Sequence, residues 1–190
     1  AAFRDELDAC AAVLAPLLDG DLRSQLYGTH TTPLDPVWTQ VGLVAIELSL
    51  SALWRSWGLR PAAGAGHSVG ELAAAVVAGV LSRDAALALT VRRAQLMATA
   101  PQGGMIAVSA DAARVVGHLT MGVTLAAVNA PRQTVVAGAD DALAVVAARL
   151  TQADLAWQRL ATTGAFHSPL MGGVVEPLTR LAETLPHGAA

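Results

Sequence analysis

The stretch Gly66-His67-Ser68-Val69-Gly70 places a serine between two glycines, directly ahead of a run of helix-forming residues, Glu71 to Leu81. An apolar segment ending in Arg60-Pro61-Ala62-Ala63-Gly64-Ala65 precedes it, and we expect a β-strand there. A serine at the turn from a strand into a helix is typical of a nucleophile elbow. The pattern therefore predicts a nucleophilic Ser68. The alternative is a glycine-rich turn whose serine only caps the helix.

A helix that starts at Ser68 would direct free backbone N–H groups and the positive end of its dipole at this site. The glycines allow the sharp turn and keep side chains away from an approaching acyl group. We expect the N–H of Val69 to stabilise the oxyanion that forms when the serine attacks a carbonyl.

A nucleophilic serine needs a neighbouring base, and the chain offers five histidines. His167 lies in a loop, Thr162 to Met171, that is expected to return from one lobe of the protein to the other, where clefts form. It is therefore the candidate base, with a capping or turn role as the alternative. The other four are expected to be structural or distant: His30 in a polar loop, His67 beside the serine, His118 at a helix end and His187 in the C-terminal tail.

The composition excludes several classes of protein. Hydrophobic residues make up 54% and charged residues 14% of the 190, which is enough for a sizeable core and shows no disorder signature. A net charge of −3 with scattered arginines gives no basic surface for nucleic acid. No apolar run reaches the roughly 18 residues of a membrane helix. The most apolar stretch, Val41 to Trp54, is expected to be a buried core helix, so we expect no membrane partner.

Cys10 is the only cysteine, which excludes an internal disulfide and a cysteine-based zinc site. Its helical spacing from Leu7 and Leu14 predicts a small core residue. The chain opens on Ala1-Ala2-Phe3 without a signal peptide, so a cytoplasmic location is expected. Because the first residue is not methionine, we expect a piece of a longer protein.

The first half of the chain has helical periodicity. Ser82 is expected to cap the last of its helices. The predicted elements are a helix over 3–18, a loop over 19–37, a buried helix from Val37 to Trp57, the helix after Ser68 that closes at Gly79, and a helix over 83–100.

The second half alternates short strands and helices in the order β-α-β-β-α-β, which is that of a ferredoxin-like unit. A small subdomain is therefore predicted over 104–161, inserted into a large subdomain formed by 1–103 and 162–190. The expected elements are strands over 105–108, 123–128, 134–137 and 157–161 and helices over 111–119 and 140–152.

Five motifs, in this order, resemble the acyltransferase domain of modular type I polyketide synthases, which is related to malonyl-CoA:acyl carrier protein transacylases. The resemblance covers nearly the whole chain. It implies an α/β fold with an α/β-hydrolase-like large subdomain and an inserted ferredoxin-like small one. The motifs are Gly66-His67-Ser68-Val69-Gly70-Glu71, Arg93-Ala94-Gln95-Leu96-Met97, Pro101-Gln102-Gly103-Gly104-Met105, Val128-Asn129-Ala130-Pro131 and Gly164-Ala165-Phe166-His167-Ser168.

The resemblance implies that Ser68 is the nucleophile and His167 the general base. Arg93 matches the arginine that pairs with the free carboxylate of the acyl unit, for which a planar guanidinium is well suited. Without the resemblance, Arg93 would be expected in a solvated helix end. Gln40 matches a glutamine near the acyl pocket, with a polar helix-start residue as the alternative. Asn129, in the fourth motif, belongs to the expected substrate-binding set.

Phe166 is expected to border the space beside the α-carbon of the substrate. The motif Gly164-Ala165-Phe166-His167 resembles the His-Ala-Phe-His of malonyl users more than the Tyr-Ala-Ser-His of methylmalonyl users. Val69 also resembles the malonyl class, whereas Gly164 fits neither pattern. The implied substrate is malonyl-CoA, with no bound cofactor or metal.

The chain departs from the family at both ends. It lacks the opening Gly-Gln-Gly-Ser-Gln segment, whose glutamine donates to the oxyanion, and the region after the active-site histidine is short. These two departures predict a chain truncated at both ends. The loss of one oxyanion donor typically lowers the rate about 100- to 1000-fold.

The resemblance implies transfer of a malonyl-type unit from coenzyme A, through acyl-Ser68, to the phosphopantetheine thiol of an acyl carrier protein domain. The partners would be that domain and neighbouring synthase domains. One alternative is a serine esterase or thioesterase, for which Asp140 would be the acid between serine and histidine. The other is an inactive fragment.

Overall fold

The computed structural model describes residues 1–29, 35–162 and 164–189. It divides into two compact units, the first formed by Ala1–Gln95 and Leu178–Ala190 and the second by Leu96–Pro177. The second unit contains the predicted small subdomain, 104–161, together with residues on either side of it. The subdomain boundaries given above stay a prediction.

The first unit is helical, as the periodicity of the sequence predicted, and α5 and α8 continue into the second unit. Ser82 caps α5, because its hydroxyl accepts a hydrogen bond from the N–H of Ala85 at 3.1 Å. The helices are α1 (Ala2–Leu14), α2 (Leu22–Tyr27), α3 (Pro36–Ser56), α4 (Gly70–Val77), α5 (Arg83–Ala98) and α8 (Gly172–Thr184).

The predicted loop over 19–37 is wrong in part, because it contains α2. The Asp21 carboxylate accepts a hydrogen bond from the N–H of Ser24 at 3.0 Å and so caps this helix. Leu22 is fully buried and anchors it to the core. The segment 30–34, with the predicted loop position of His30, lies outside the described residues.

The prediction of a strand before Ser68 is also wrong, because the described residues form none there. Residues 59–66 are irregular, and among the described residues every strand belongs to the second unit. A strand is defined by backbone hydrogen bonds to a neighbouring strand, and residues 60–66 take part in none of the described backbone hydrogen bonds.

The core of the first unit forms where α1 packs on α3. Leu7, Cys10 and Leu14 of α1 are buried against Val44 and Leu48 of α3. Cys10 is therefore a core residue, as its spacing predicted. By length and composition alone α3 could also cross a membrane, which is weak evidence for a span, and 44% of its most apolar window is buried within the protein.

The second unit is built on a four-stranded antiparallel sheet in the order β2-β3-β1-β4. The chain order β-α-β-β-α-β is the predicted ferredoxin-like one. A two-residue turn, Pro131-Arg132, connects β2 to β3. The elements are β1 (Gly104–Val108), α6 (Ala112–Val116), β2 (Val123–Ala130), β3 (Gln133–Gly138), α7 (Asp140–Gln152) and β4 (Trp157–Arg159).

The two faces of this sheet bury different side chains, because successive residues of a strand point to opposite sides. Ile106 and Val108 pack in one cluster with α6 and α7. Met105 lies on the other face, in a cluster with Ala165 and Phe166. The segment that carries the candidate base is therefore anchored to the sheet.

Candidate active site

Ser68 occupies a sharp turn directly before α4. Its φ of +55° lies in the left-handed region, which is rare for a residue with a side chain. Gly66 makes the turn possible, since a β-carbon there would lie 2.1 Å from the backbone nitrogen of Glu71. Strained backbone of this kind is concentrated at functional sites, and here it occurs at the predicted nucleophile.

Ser68 does not occupy the N-cap position of the helix that follows it. Helix α4 begins at Gly70, and its N-cap residue is Val69, whose side chain makes no capping hydrogen bond. Ser68 and His67 contribute their carbonyl groups to the first turn, accepting from Glu71 and Gly70. In the described part of the chain, none of the hydrogen bonds uses the N–H of Val69.

Arg93, on α5, contacts the serine directly. Its Nη2 donates to Ser68 Oγ at 2.9 Å, and its Nη1 donates to Oε1 of Gln40 on α3. Gln40 is buried, with 8% of its surface exposed. Three of the predicted site residues therefore lie together in the first unit, and the expectation of a solvated helix end for Arg93 is wrong.

The guanidinium of Arg93 is half-buried, and this burial lowers its pKa. None of the ion pairs among the described residues includes Arg93. A desolvated cation that is bonded only to neutral groups strongly favours an incoming anion. The neighbouring Arg92 is exposed.

His167, Phe166 and Asn129 belong to the second unit. His167 is exposed and has a φ of +60°, the same unusual backbone region as Ser68. The hydroxyl of Ser168 donates to the carbonyl of Ala165 at 2.6 Å and accepts from the N–H of Leu170 at 3.3 Å. It thereby holds the histidine turn on both sides.

This role of Ser168 was not predicted from the sequence. The signal was present, since a serine directly before Pro169 is a common cap for a short helix, here the 3₁₀ turn Pro169–Met171. Asn129 is exposed near the end of β2, and Phe166 is half-buried. The roles predicted for both stay predictions.

The acid that a hydrolase would need is engaged elsewhere. Asp140 pairs with Arg159 at 2.5 Å on the surface of the second unit.

His187 contacts the carbonyl of Ala182 at 3.0 Å, and the backbone carbonyl of His118 accepts a hydrogen bond from Arg149. In the described ranges, no group of three His, Cys, Asp or Glu residues could hold a metal ion.

The acyl transferase domain family matches residues 1–189. The phenolphthiocerol synthesis polyketide synthase type I Pks15/1 of Mycobacterium marinum is 42% identical over 182 residues, which are 95% of this chain and 9% of that protein. The spectinabilin polyketide synthase system protein NorB of Streptomyces orinoci is 38% identical over 192 residues, or 96% and 9%. The chain thus spans about a tenth of these relatives.

A solved structure shows the same fold over a larger domain. The acyltransferase domain from the second module of the salinomycin polyketide synthase is 41% identical, with a TM-score of 0.89. The match covers 99% of this chain and 45% of that one. The chain therefore has the α/β fold of these domains and belongs to the acyl transferase domain family, as the acyltransferase domain of a modular type I polyketide synthase.

Proposed function

We propose that this domain transfers a malonyl unit from coenzyme A to the phosphopantetheine thiol of an acyl carrier protein, through an ester on Ser68. The observation that carries the proposal is the position of Arg93. Its half-buried guanidinium is bonded to the serine hydroxyl and to Gln40, and no carboxylate of the described residues neutralises it. A substrate with a free carboxylate would supply the missing charge.

The first half-reaction forms the ester. Ser68 Oγ attacks the thioester carbonyl while His167 takes the hydroxyl proton, and the N–H of Val69 stabilises the resulting oxyanion. The intermediate collapses as the carbon–sulfur bond breaks. The sulfur of coenzyme A leaves with the proton that His167 returns to it.

The second half-reaction is the same sequence in reverse, with a different thiol. His167 removes the proton of the phosphopantetheine thiol, whose sulfur attacks the acyl-Ser68 ester. The ester bond breaks and the proton passes to Ser68 Oγ. No resident cofactor takes part, because coenzyme A and phosphopantetheine only carry the acyl group.

Arg93 and Gln40 hold the substrate in this scheme. The guanidinium is the partner of the malonyl carboxylate, and Gln40 fixes the orientation of the guanidinium by accepting from Nη1. An acetyl unit lacks the carboxylate and leaves the cation unpaired. Arg93 therefore selects for dicarboxylic acyl units. Asn129 completes the substrate-binding set that the family pattern implies.

Phe166 and Val69 favour malonyl over methylmalonyl. A ring beside the α-carbon leaves no room for an additional methyl group, and discrimination by one methyl in a filled pocket is about 10- to 200-fold.

A related acyltransferase domain, that of SpnD, has been solved in complex with 2-(pent-4-yn-1-yl)malonyl; the two chains are 35% identical, with a TM-score of 0.92. The malonyl core of that ligand supports a carboxylate-bearing substrate here.

The proposal also includes partners and location: neighbouring synthase domains are the further partners, and the domain works in the cytoplasm. A hydrolase of the esterase or thioesterase type is disfavoured, because Asp140 is bound to Arg159 and a hydrolase has no use for the cation at the nucleophile.

The test is intact mass spectrometry of the protein after incubation with malonyl-CoA. The expected result is one malonyl adduct on Ser68 that a phosphopantetheine thiol removes faster than water does. Loss to water at an equal rate would favour the hydrolase, and no adduct in the protein that carries the whole domain would contradict the proposal.

A further inference from the structure

The third motif of the chain, Pro101-Gln102-Gly103-Gly104-Met105, has no part in the reaction described above. Gly103 is buried directly before β1, and its φ lies outside the left-handed region that glycine adopts readily. An alanine could therefore take the same backbone conformation. The reason for a glycine at this position lies in what surrounds it.

Two groups occupy the space in which a side chain at 103 would lie. A β-carbon there would lie 2.5 Å from the carbonyl oxygen of Gly138, at the end of β3, and 2.9 Å from the β-carbon of Ala165. Non-bonded carbon atoms prefer a separation of about 3.5–4.0 Å, so the added carbon and Ala165 would have to separate by roughly 0.6–1.1 Å.

Ala165 is the fixed point of the turn that carries the proposed base. It is fully buried, in the cluster that includes Met105 of β1. Its carbonyl accepts two hydrogen bonds from Ser168, one from the N–H at 3.3 Å and one from the hydroxyl at 2.6 Å. These bonds close the turn 165–168, in which His167 is the third residue.

The closed turn imposes an unfavourable backbone on His167. A φ of +60° at the third position of a turn normally belongs to glycine or asparagine. Such a conformation persists only where the surrounding contacts hold it. Because Ala165 lies against Gly103 and its carbonyl closes the turn, a displacement of Ala165 also displaces the histidine.

We propose that Gly103 is a positioning residue for His167, acting through Ala165. The missing side chain lets Ala165 lie against the start of β1, and the closed turn passes this position on to the imidazole. The inference rests on the proposed function, in which His167 moves the proton between Ser68 and the thiol. It concerns the rate of this proton transfer and not the choice of acyl group.

The test is a double-mutant cycle on the acylation of Ser68, measured in single turnovers by the protein that carries the whole domain. Gly103→Ala should lower the rate at saturating malonyl-CoA about 100-fold, the effect of a catalytic group misplaced by roughly 1 Å. The half-saturating concentration of malonyl-CoA should stay the same, because the base does not bind the substrate.

Ala165→Gly removes the atom that the new side chain would meet. Alone it should slow acylation about tenfold, since the turn loses its buried anchor, and it tests the proposal even if Gly103→Ala does not fold. The double variant should react at nearly the rate of Ala165→Gly. Its melting temperature should stay as low as that of Gly103→Ala, because the clash with the carbonyl of Gly138 remains.

The neighbouring glycine provides the matched control. A β-carbon at Gly104 would meet the guanidinium of Arg159, which is the end of a flexible side chain on the surface and can move aside. Gly104→Ala should therefore acylate at the rate of the unsubstituted protein.

An unchanged rate in Ala165→Gly, or losses that multiply in the double variant, would overturn the inference. The NMR chemical shifts of the His167 imidazole give a readout without substrate. They should change in Gly103→Ala and return to the Ala165→Gly values in the double variant, and identical shifts in Gly103→Ala and the unsubstituted protein would contradict the proposal. If no malonyl-Ser68 forms in the unsubstituted protein while the shifts respond as expected, the proposed function fails but the positioning of the turn stands.

Discussion

Nη2 of Arg93 donates a hydrogen bond to Oγ of Ser68 over 2.9 Å, so the cation of the site contacts the proposed nucleophile. The contact places a positive charge within a few ångströms of the atom that would carry the acyl group. An acyl unit with a free carboxylate would find its charge partner there, which leads to the first prediction.

Arg93→Ala is expected to lower kcat/KM for malonyl-CoA by roughly 150- to 5000-fold, because an ion pair that loses one partner costs about 3–5 kcal/mol. Transfer of acetyl should be spared, since acetyl leaves no charge unpaired. Both rates can be measured with radiolabelled acyl-CoA. Arg92→Ala is the control, because that side chain is exposed. An equal loss with both acyl groups would make Arg93 structural.

Ser68→Ala should abolish the malonyl adduct in intact mass spectra, since no other hydroxyl is expected to accept the acyl group. Ser82→Ala is the matched control. It removes the cap of α5 and costs about 1 kcal/mol of stability, yet should leave labelling unchanged. A Ser68→Ala protein that still becomes labelled would overturn the choice of nucleophile.

Gly66→Ala should disrupt the turn at the serine. The new β-carbon would lie 2.1 Å from the nitrogen of Glu71, and a clash with backbone is expected to cost about 3 kcal/mol or more of unfolding free energy. Gly64→Ala, two residues away, meets nothing within 4 Å and should be neutral or slightly stabilising. Urea denaturation measures both, and similar losses would show that the turn tolerates a side chain.

Phe166→Ala should move the preference toward methylmalonyl by about 10- to 200-fold, because it opens the space beside the α-carbon. Phe166→Tyr keeps the ring and should keep the malonyl preference. Competition between equimolar malonyl-CoA and methylmalonyl-CoA gives the ratio directly. An unchanged ratio in the alanine variant would remove Phe166 from the acyl pocket.

Burial, and secondarily the carboxylate of Glu6, raises the pKa of the Cys10 thiol from 9.0 to about 12. The native state therefore holds its proton more tightly than the unfolded state. This contribution to stability is complete below pH 9 and is lost as the pH rises from 9 toward 12. Cys10→Ala should flatten this part of the stability profile, and iodoacetamide at pH 8 should modify Cys10 only after unfolding.

Local patterns in the sequence predicted most of the elements. Helix α7 and the hairpin of β2 and β3 follow from periodicity and turn residues, which depend on near neighbours only. The strand before Ser68 could not be predicted in this way. A strand needs a hydrogen-bonding neighbour elsewhere in the chain, and apolar content at 60–65 gives no information about that neighbour.

The site was predictable in its residue types but not in its contacts. The glycines around Ser68 indicate a tight turn, and the family motif identifies Arg93. That the guanidinium bonds both Ser68 and Gln40 depends on the packing of three helices, which no short motif encodes. The contact of Phe166 with Gly164 likewise depends on a side-chain torsion.

Ser68 and His167 both have a positive φ, a backbone conformation that costs about 1–2 kcal/mol for a residue with a β-carbon. With the catalytic roles proposed for Ser68 and His167, selection for turnover therefore opposes selection for thermal stability at these two positions. A lineage released from the need for catalysis would gain stability by accepting glycine at either one. Glycine at these positions in a homologue would thus record a lost activity, even where every other motif of the domain has survived.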